Sequence, residues 1–277
     1  MQARFWLKPI FTVALKDIRI TTRYKTWFVA SFVWPIIFPL TFFFIGKGLA
    51  GTAGQGLGNF ERLAQTGNYA SFLIVGNLVW MFVNMNLWMG GLSLQTDRVR
   101  GTFDTHWTTP VNKLSLVLGA TFSSVVLNFL PMVAAIFFYS LIGALRLSGN
   151  ILNVVVTIIL IMPFLVGFLF AFAALTLQVR QAWIAVQIIR TVLSIFCGLQ
   201  FPLAVLPQSV ANIGRYIPLT HFVEILRGVI IHKRSLVHFL GSIVYITVCG
   251  VVMFVVGVLT FELAKRAVRR GGVVGGY

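Results

Sequence analysis

The sequence predicts an all-α membrane protein, with six transmembrane helices behind an N-terminal amphipathic helix. Three observations predict it. Charged residues make up only 10% of the 277 and apolar ones 58%, with 26 phenylalanines, whereas a soluble domain carries about a quarter charged residues. At least five stretches of about 20 residues or more lack any charge, the length a helix needs to cross a hydrocarbon core. Finally, 22 Lys and Arg face 6 Asp and Glu. In a chain this apolar the surplus of +16 reads as membrane orientation rather than nucleic-acid binding, because Lys and Arg gather in cytoplasmic segments.

The N-terminal segment, 1–26, comes first. Pro9 suits a first helical turn. Thr12, Lys16, Arg19 and Arg23 recur at helical spacing on one face, with Phe11, Ala14, Leu15 and Ile18 on the other. A basic amphipathic helix of this kind lies in the interface plane against anionic headgroups; the plainer alternative is a solvated basic flank. The opening residues are basic and show no small-residue cleavage site after an apolar run, so no cleaved signal peptide is expected.

Charge-free runs place the spans at 27–45, 69–96, 114–145, 151–177, 182–206 and 236–261, in one domain over 1–277. Between the first two, "GKGLAGTAGQGLG" has no Lys-Ser/Thr after its last glycine and reads as an external loop, not a phosphate cradle. "RLSGN" makes a tight turn between the third and fourth. Pro35, Pro39, Pro131 and Pro163 fall inside spans and imply kinks. Cys197 and Cys249, also inside spans, read as small buried hydrophobes rather than a disulfide.

An even number of spans puts both termini on one side. That side collects fourteen cations: Arg4, Lys8, Lys16, Arg19, Arg23, Lys25, Arg98, Arg100, Lys113, Arg180, Lys265, Arg266, Arg269 and Arg270. The other side has seven, namely Lys47, Arg62, Arg146, Arg215, Arg227, Lys233 and Arg234, while Arg190 falls within the fifth span. The bias puts both termini in the cytoplasm.

Several functions are narrowed by what the spans lack. All six carboxylates (Asp17, Glu61, Asp97, Asp104, Glu224, Glu262) lie outside the spans or at their edges. A proton-coupled transporter holds an acid within the bilayer, so proton coupling is disfavoured. Sodium coupling stays open, since backbone and hydroxyl oxygens bind that ion. An ion-coupled transporter would show an inverted repeat, and the long loop after the second span has no counterpart after the fifth. A lipid-modifying enzyme would gather His, Asp or Glu at one interface, but His106, His221, His232 and His238 are scattered. "HFVE" has the wrong order for a metal helix, so neither a catalytic nor a metal site is expected. Asn77, Asn84, Asn86, Asn128 and Gln187 punctuate the spans, as interhelical hydrogen-bonding groups or as lining of a pathway.

Two segments remain. "TDRVRGTFDTHWTTPVNK" (96–113) is a cytoplasmic loop with a short run of charges and aromatics closed by Pro110. It is either a helix that docks on a soluble partner or a solvated connection. "GLQFPLAVLPQSVANIGRYIPLTHFVEILRG" (198–228) has three prolines, which remove three backbone donors and do not share one straight helix.

Both segments resemble those of type-2 ABC transporter permeases. In the first, Asp97, Arg98, Gly101, Thr102, Asp104, Thr109 and Pro110 fill the family's places. Asp97 and Asp104 stand where Glu is usual, and His106-Trp107 where leucines are. In the second, Gly198, Phe201-Pro202, Leu206-Pro207, Pro218-Leu-Thr-His221 and Arg227 match. The resemblance implies that 97–113 is the coupling loop. It also implies that 198–233 is a broken hairpin dipping into the outer leaflet, with Pro202, Pro207, Pro218, His221, Glu224 and Arg227 as its marked residues. Irregular backbone at membrane depth survives only when buried in protein or lining a cavity, so the break would cap the route from outside.

The implied protein is the membrane half of an exporter in a bacterial or archaeal plasma membrane. Two six-span subunits, alike or different, form the path, and two separate ATP-binding subunits carry ATP and magnesium. This chain binds no cofactor and no nucleic acid, and touches membrane lipid. The cargo class is an amphiphile, drug, lipid or glycolipid, the last because "LKDIRITTRYKTW" is similar to polysaccharide-exporting members.

Overall fold

The computed structural model describes residues 2–49, 58, 62, 64, 68–145, 150–179 and 181–271, of which 2–7, 49 and 269–271 are described by backbone alone. Most of the glycine-rich segment, residues 146–149 of the "RLSGN" turn, Glu61 and Arg180 lie outside the described residues. Within them every regular element is helical. The order is α1 (Gln2–Arg23), α2 (Lys25–Leu49), α3 (Tyr69–Asn86), a π-turn (Leu87–Gly91), α4 (Ser93–Val99), α5 (Phe103–Thr108) and α6 (Lys113–Leu141). There follow α7 (Ile151–Gln178), α8 (Ala182–Phe196), α9 (Gln208–Arg215), α10 (Pro218–Ile230) and α11 (Leu240–Gly271).

Asparagines start three of the long helices. The side chains of Asn68, Asn112 and Asn150 accept from the backbone N–H groups of Ser71, Leu114 and Leu152. Each satisfies a donor that the first helical turn leaves without a partner.

Among the described residues five stretches are long and apolar enough to cross a membrane: Lys25–Gly48, Tyr69–Gly91, Lys113–Leu141, Ile151–Gln178 and Leu236–Val268. Their burial ranks them. The most apolar window of Tyr69–Gly91 is 83% buried, against 11% for the first stretch and 17% for the last. So α3 is the central post, and α2 and α11 turn most of their surface outward. α7 and α11 lie backbone to backbone, since a Cβ on Gly167 or Gly257 would run into the main chain of the facing helix.

Two predicted spans change shape. The sequence expects helix over 182–206, but α8 has 15 residues and stops at Phe196. Gly198 then takes φ +60°, a left-handed conformation that ends a helix, and Pro202 follows. At 1.5 Å per residue α8 is about 22 Å long, short of the roughly 30 Å core. The second span, expected to run unbroken over 69–96, loosens into the π-turn and bends at Leu92 before α4 begins. The N-terminal helix ends at Arg23 rather than at residue 26.

α1 packs along α6, where the Ser123 hydroxyl donates to Asp17 at 3.3 Å. The apolar face read from the sequence splits in two. Ala14 is buried in the protein, whereas Phe11 and Leu15 are 55% and 51% exposed.

Candidate functional site

The end of the bundle that carries α1, α4 and α5 is the basal end; the opposite end, where α9 and α10 lie, is the distal end. At the basal end α4 and α5 form a bracket whose shape follows from its sequence. Gly101 takes φ +70° after α4. The Gly101 N–H donates to the Arg98 carbonyl at 3.0 Å and the Thr102 N–H to the Asp97 carbonyl at 2.9 Å, the paired bonds with which a left-handed glycine closes a helix. α5 ends at Thr109, whose ψ of 137° is the extended backbone that a residue before proline prefers.

Most of the bracket's side chains are engaged inside it. Asp97 accepts from His106 Nδ1 at 3.0 Å, tying α4 to α5. Lys113 donates to the carbonyls of His106 (3.1 Å) and Thr109 (2.6 Å), satisfying acceptors at the end of α5. Phe103 is buried with Leu94, Val117, Phe170 and Phe261, and stacks on Trp107 at 5.0 Å. The Arg98 guanidinium lies over the Phe103 ring at 4.8 Å and donates to the Thr176 and Leu177 carbonyls at 2.7 and 3.1 Å. Those carbonyls belong to the last turn of α7, where a cation also meets the negative end of the helix dipole. The bracket is therefore braced on a membrane-length helix. What it leaves exposed is Val99, Arg100, Gly101, Thr102, Asp104, Thr105, Thr108, Thr109 and Pro110.

At the distal end Arg227 of α10 is the fixing point. It donates to the carbonyls of Gly198 (2.8 Å), Leu199 (2.8 Å) and Phe72 (3.3 Å) and lies over the Phe72 ring at 3.5 Å. These bonds serve the carbonyls freed where α8 stops. A Cβ on Gly76 would collide with the Leu199 carbonyl and the guanidinium, so the approach of α3 to this break requires glycine there. Pro202 and Pro207 flank a short 3-10 turn, and Pro218 opens α10 at a first-turn position. His221 Nε2 donates to the Arg215 carbonyl at 2.9 Å, while Glu224 stays about half exposed. His232, in the turn after α10, is held below its ordinary pKa by burial first and by Arg234 second, so it adds no charge near neutral pH.

Lys16, Arg19 and Arg23 share the outer face of α1, with Arg19 and Arg23 exposed. The predicted residues thus fall into three separate groups: the bracket, the segment after α8 and the α1 face. Sequence reasoning passed over Phe103, Lys113 and Gly76. The signal for Lys113 was available, because a lysine shortly after a short helix is placed to meet its last carbonyls. Gly76 carried none, since its role depends on where residue 199 falls. Among the described residues no three His, Cys, Asp or Glu side chains stand together as metal ligands do, and Cys197 and Cys249 are free thiols.

A family model described as ABC-2 family transporter protein matches residues 52–259, from before α3 to well into α11. No curated protein matches the chain.

Proposed function

Because the chain belongs to the ABC-2 family of transporter proteins, an integral membrane permease family, we propose that it is the membrane-spanning subunit of an ATP-driven exporter. Its partners are separate ATP-binding subunits, which carry ATP and magnesium, and a second permease subunit. The observation that carries this reading is the α4–α5 bracket. A loop with no partner to meet has no need to bury an aromatic, cap its own short helix and anchor to α7. A lever does, because force applied to a soft loop is lost in bending it.

In this mechanism the ATP-binding subunits dock on the exposed rim around Asp104. When they close on ATP, α5 moves as a unit, and Arg98 passes the displacement to the end of α7 and so to α11, packed along it. The chain itself does no covalent chemistry. It contributes two conformations with different affinities for the closed ATPase pair, which is the condition for coupling. α8 completes a sixth crossing with the short elements after it, 198–233 folding back into the leaflet as a hairpin fixed by Arg227. The path forms between two subunits, whose exposed apolar faces include Trp34 and Ile37 on α2 and Ile188 and Val192 on α8. Both termini lie in the cytoplasm, following the cation bias.

The test is charge reversal at Asp104, which has no side-chain partner among the described residues and so is free for a docked subunit. Asp104→Arg should weaken co-purification with the ATP-binding subunit by about tenfold or more and uncouple hydrolysis from export, while membrane insertion persists. Lys47→Glu at the distal end is the control. Wild-type export and assembly by Asp104→Arg would show that force does not enter here.

A further inference from the structure

Arg190 has no place in the mechanism above. It lies midway along α8, and its guanidinium stacks over the Trp80 ring at 5.4 Å. Trp80 is itself midway along the central stretch Tyr69–Gly91, which fixes the depth of the charge. A cation there is not snorkelling to either surface. Among the described residues no carboxylate pairs with it and no acceptor takes its N–H groups.

The face of α3 that carries Trp80 is also short of partners. Asn77, Trp80 and Asn84 recur at i, i+3 and i+7, one stripe of α3. Asn77 Oδ1, Trp80 Nε1 and Asn84 Oδ1 are buried with no hydrogen-bond partner among the described residues. Phe38 of α2 stacks on Trp80 at 4.7 Å, so the surround is aromatic. A charge held at this depth, against an unsatisfied polar stripe, is expensive and marks function.

A second copy of this chain does not supply the counter-charge. Among the described residues Asp17, Asp97, Asp104 and Glu262 belong to the basal end and Glu224 to the distal segment, so none of these reaches mid-depth. The anion must arrive with something else, and in a transporter the visitor to this depth is the cargo. Resting on the exporter reading, we propose that Arg190 over Trp80 is an anion-recognition station in the path, and that the cargo is an amphiphile with a phosphate or carboxylate head. The guanidinium presents five donors in a planar fork that matches either group. Trp80 Nε1–H adds a donor, and the aromatic surround accepts the apolar body.

The test uses the full chain in phosphatidylcholine nanodiscs, with empty discs subtracted. Saturable binding of radiolabelled dodecyl phosphate is compared with that of dodecanol. Wild type should bind the phosphate saturably and the alcohol not. Arg190→Gln should weaken that binding about tenfold or more, Arg190→Lys should restore part of it, and Lys25→Gln at the basal end should leave it intact. Trp80→Phe keeps the stack and removes the donor, so a few-fold loss is expected there even if Arg190→Gln folds poorly. Discs doped with phosphatidic acid separate the sources: competition means that a bilayer lipid fits the station, and its absence that a shorter amphiphile is preferred. Equal binding of phosphate and alcohol, or unaltered binding by Arg190→Gln, would overturn the proposal. So would a different permease subunit whose acid pairs with Arg190, seen as loss of assembly in Arg190→Gln with no phosphate binding in wild type. None of these results depends on ATPase docking, which the Asp104 experiment judges separately.

Discussion

Arg227 shows how one side chain can hold a broken helix together. Where α8 stops at Phe196, the carbonyls after it have no helical partner, and buried inside the protein they meet no water in its place. Arg227 serves those of Gly198 and Leu199 and adds Phe72 from the central helix. Arg227→Ala should therefore lose about 3 kcal/mol or more of stability, since buried acceptors left unmade each cost about 1–3 kcal/mol. Arg227→Lys keeps the charge but not the planar fork, and should fall between. The check is the apparent melting temperature of the detergent-purified chain, with Gly76→Ala expected to drop likewise because it drives the same groups apart without touching charge. Equal melting temperatures across these variants would remove Arg227 from its bracing role. Arg227 was legible in the sequence as a marked residue of the hairpin, but its three acceptors were not, being fixed only when α3, α8 and α10 meet.

Among elements, the α4–α5 bracket is where sequence and structure inform each other most. Asp97 and Asp104 look alike in the sequence, two acids in a basic loop, yet Asp97 is engaged by His106 while Asp104 faces outward. Helical phase separates them, and phase depends on the Gly101 turn. Four long spans and the N-terminal helix were readable from charge-free runs and periodicity, because hydrocarbon thickness and the 3.6-residue repeat constrain them directly. The end of α8 was legible in part, since Gly198 and Pro202 mark a break although the charge-free run carries on to 206; the π-turn was not, because it lies in charge-free sequence where packing decides. Arg98 is the element-scale link, joining the bracket to α7. Arg98→Gln should remove a charged cap worth about 1–2 kcal/mol and loosen α5 without unfolding the bundle. Hydrogen exchange should then speed up at the amides of 103–108 and the last turn of α7, with α3 unchanged. Unaltered protection in α5 would mean that Phe103 burial alone holds the bracket.

For the whole molecule the decisive property is orientation, because the lever reading needs the basal end on the side where ATP is made available. The cations favour it. α1 lays Lys16, Arg19 and Arg23 along one face at that end, and Arg98, Arg100 and Lys113 add to them, whereas Arg215, Lys233 and Arg234 stand at the distal end. Positive segments are retained in the cytoplasm during insertion, and the interior Arg190 counts for neither side. Single-cysteine labelling reads the result, in a background where Cys197 and Cys249 are replaced by serine. The position of each reporter follows from burial. Lys113 has the right side but is 5% exposed and bonded to two carbonyls, so a cysteine there would report burial rather than side. Thr108 on the exposed rim of α5 and Ser209 on α9 are both accessible. A membrane-impermeant maleimide added to intact cells should label Ser209→Cys and spare Thr108→Cys, and permeabilised cells should label both. The reverse pattern would place the bracket outside, out of reach of any ATP-binding subunit. Labelling of both in intact cells would mean that the bundle inserts in two orientations, in which case the cation bias does not set topology in this chain.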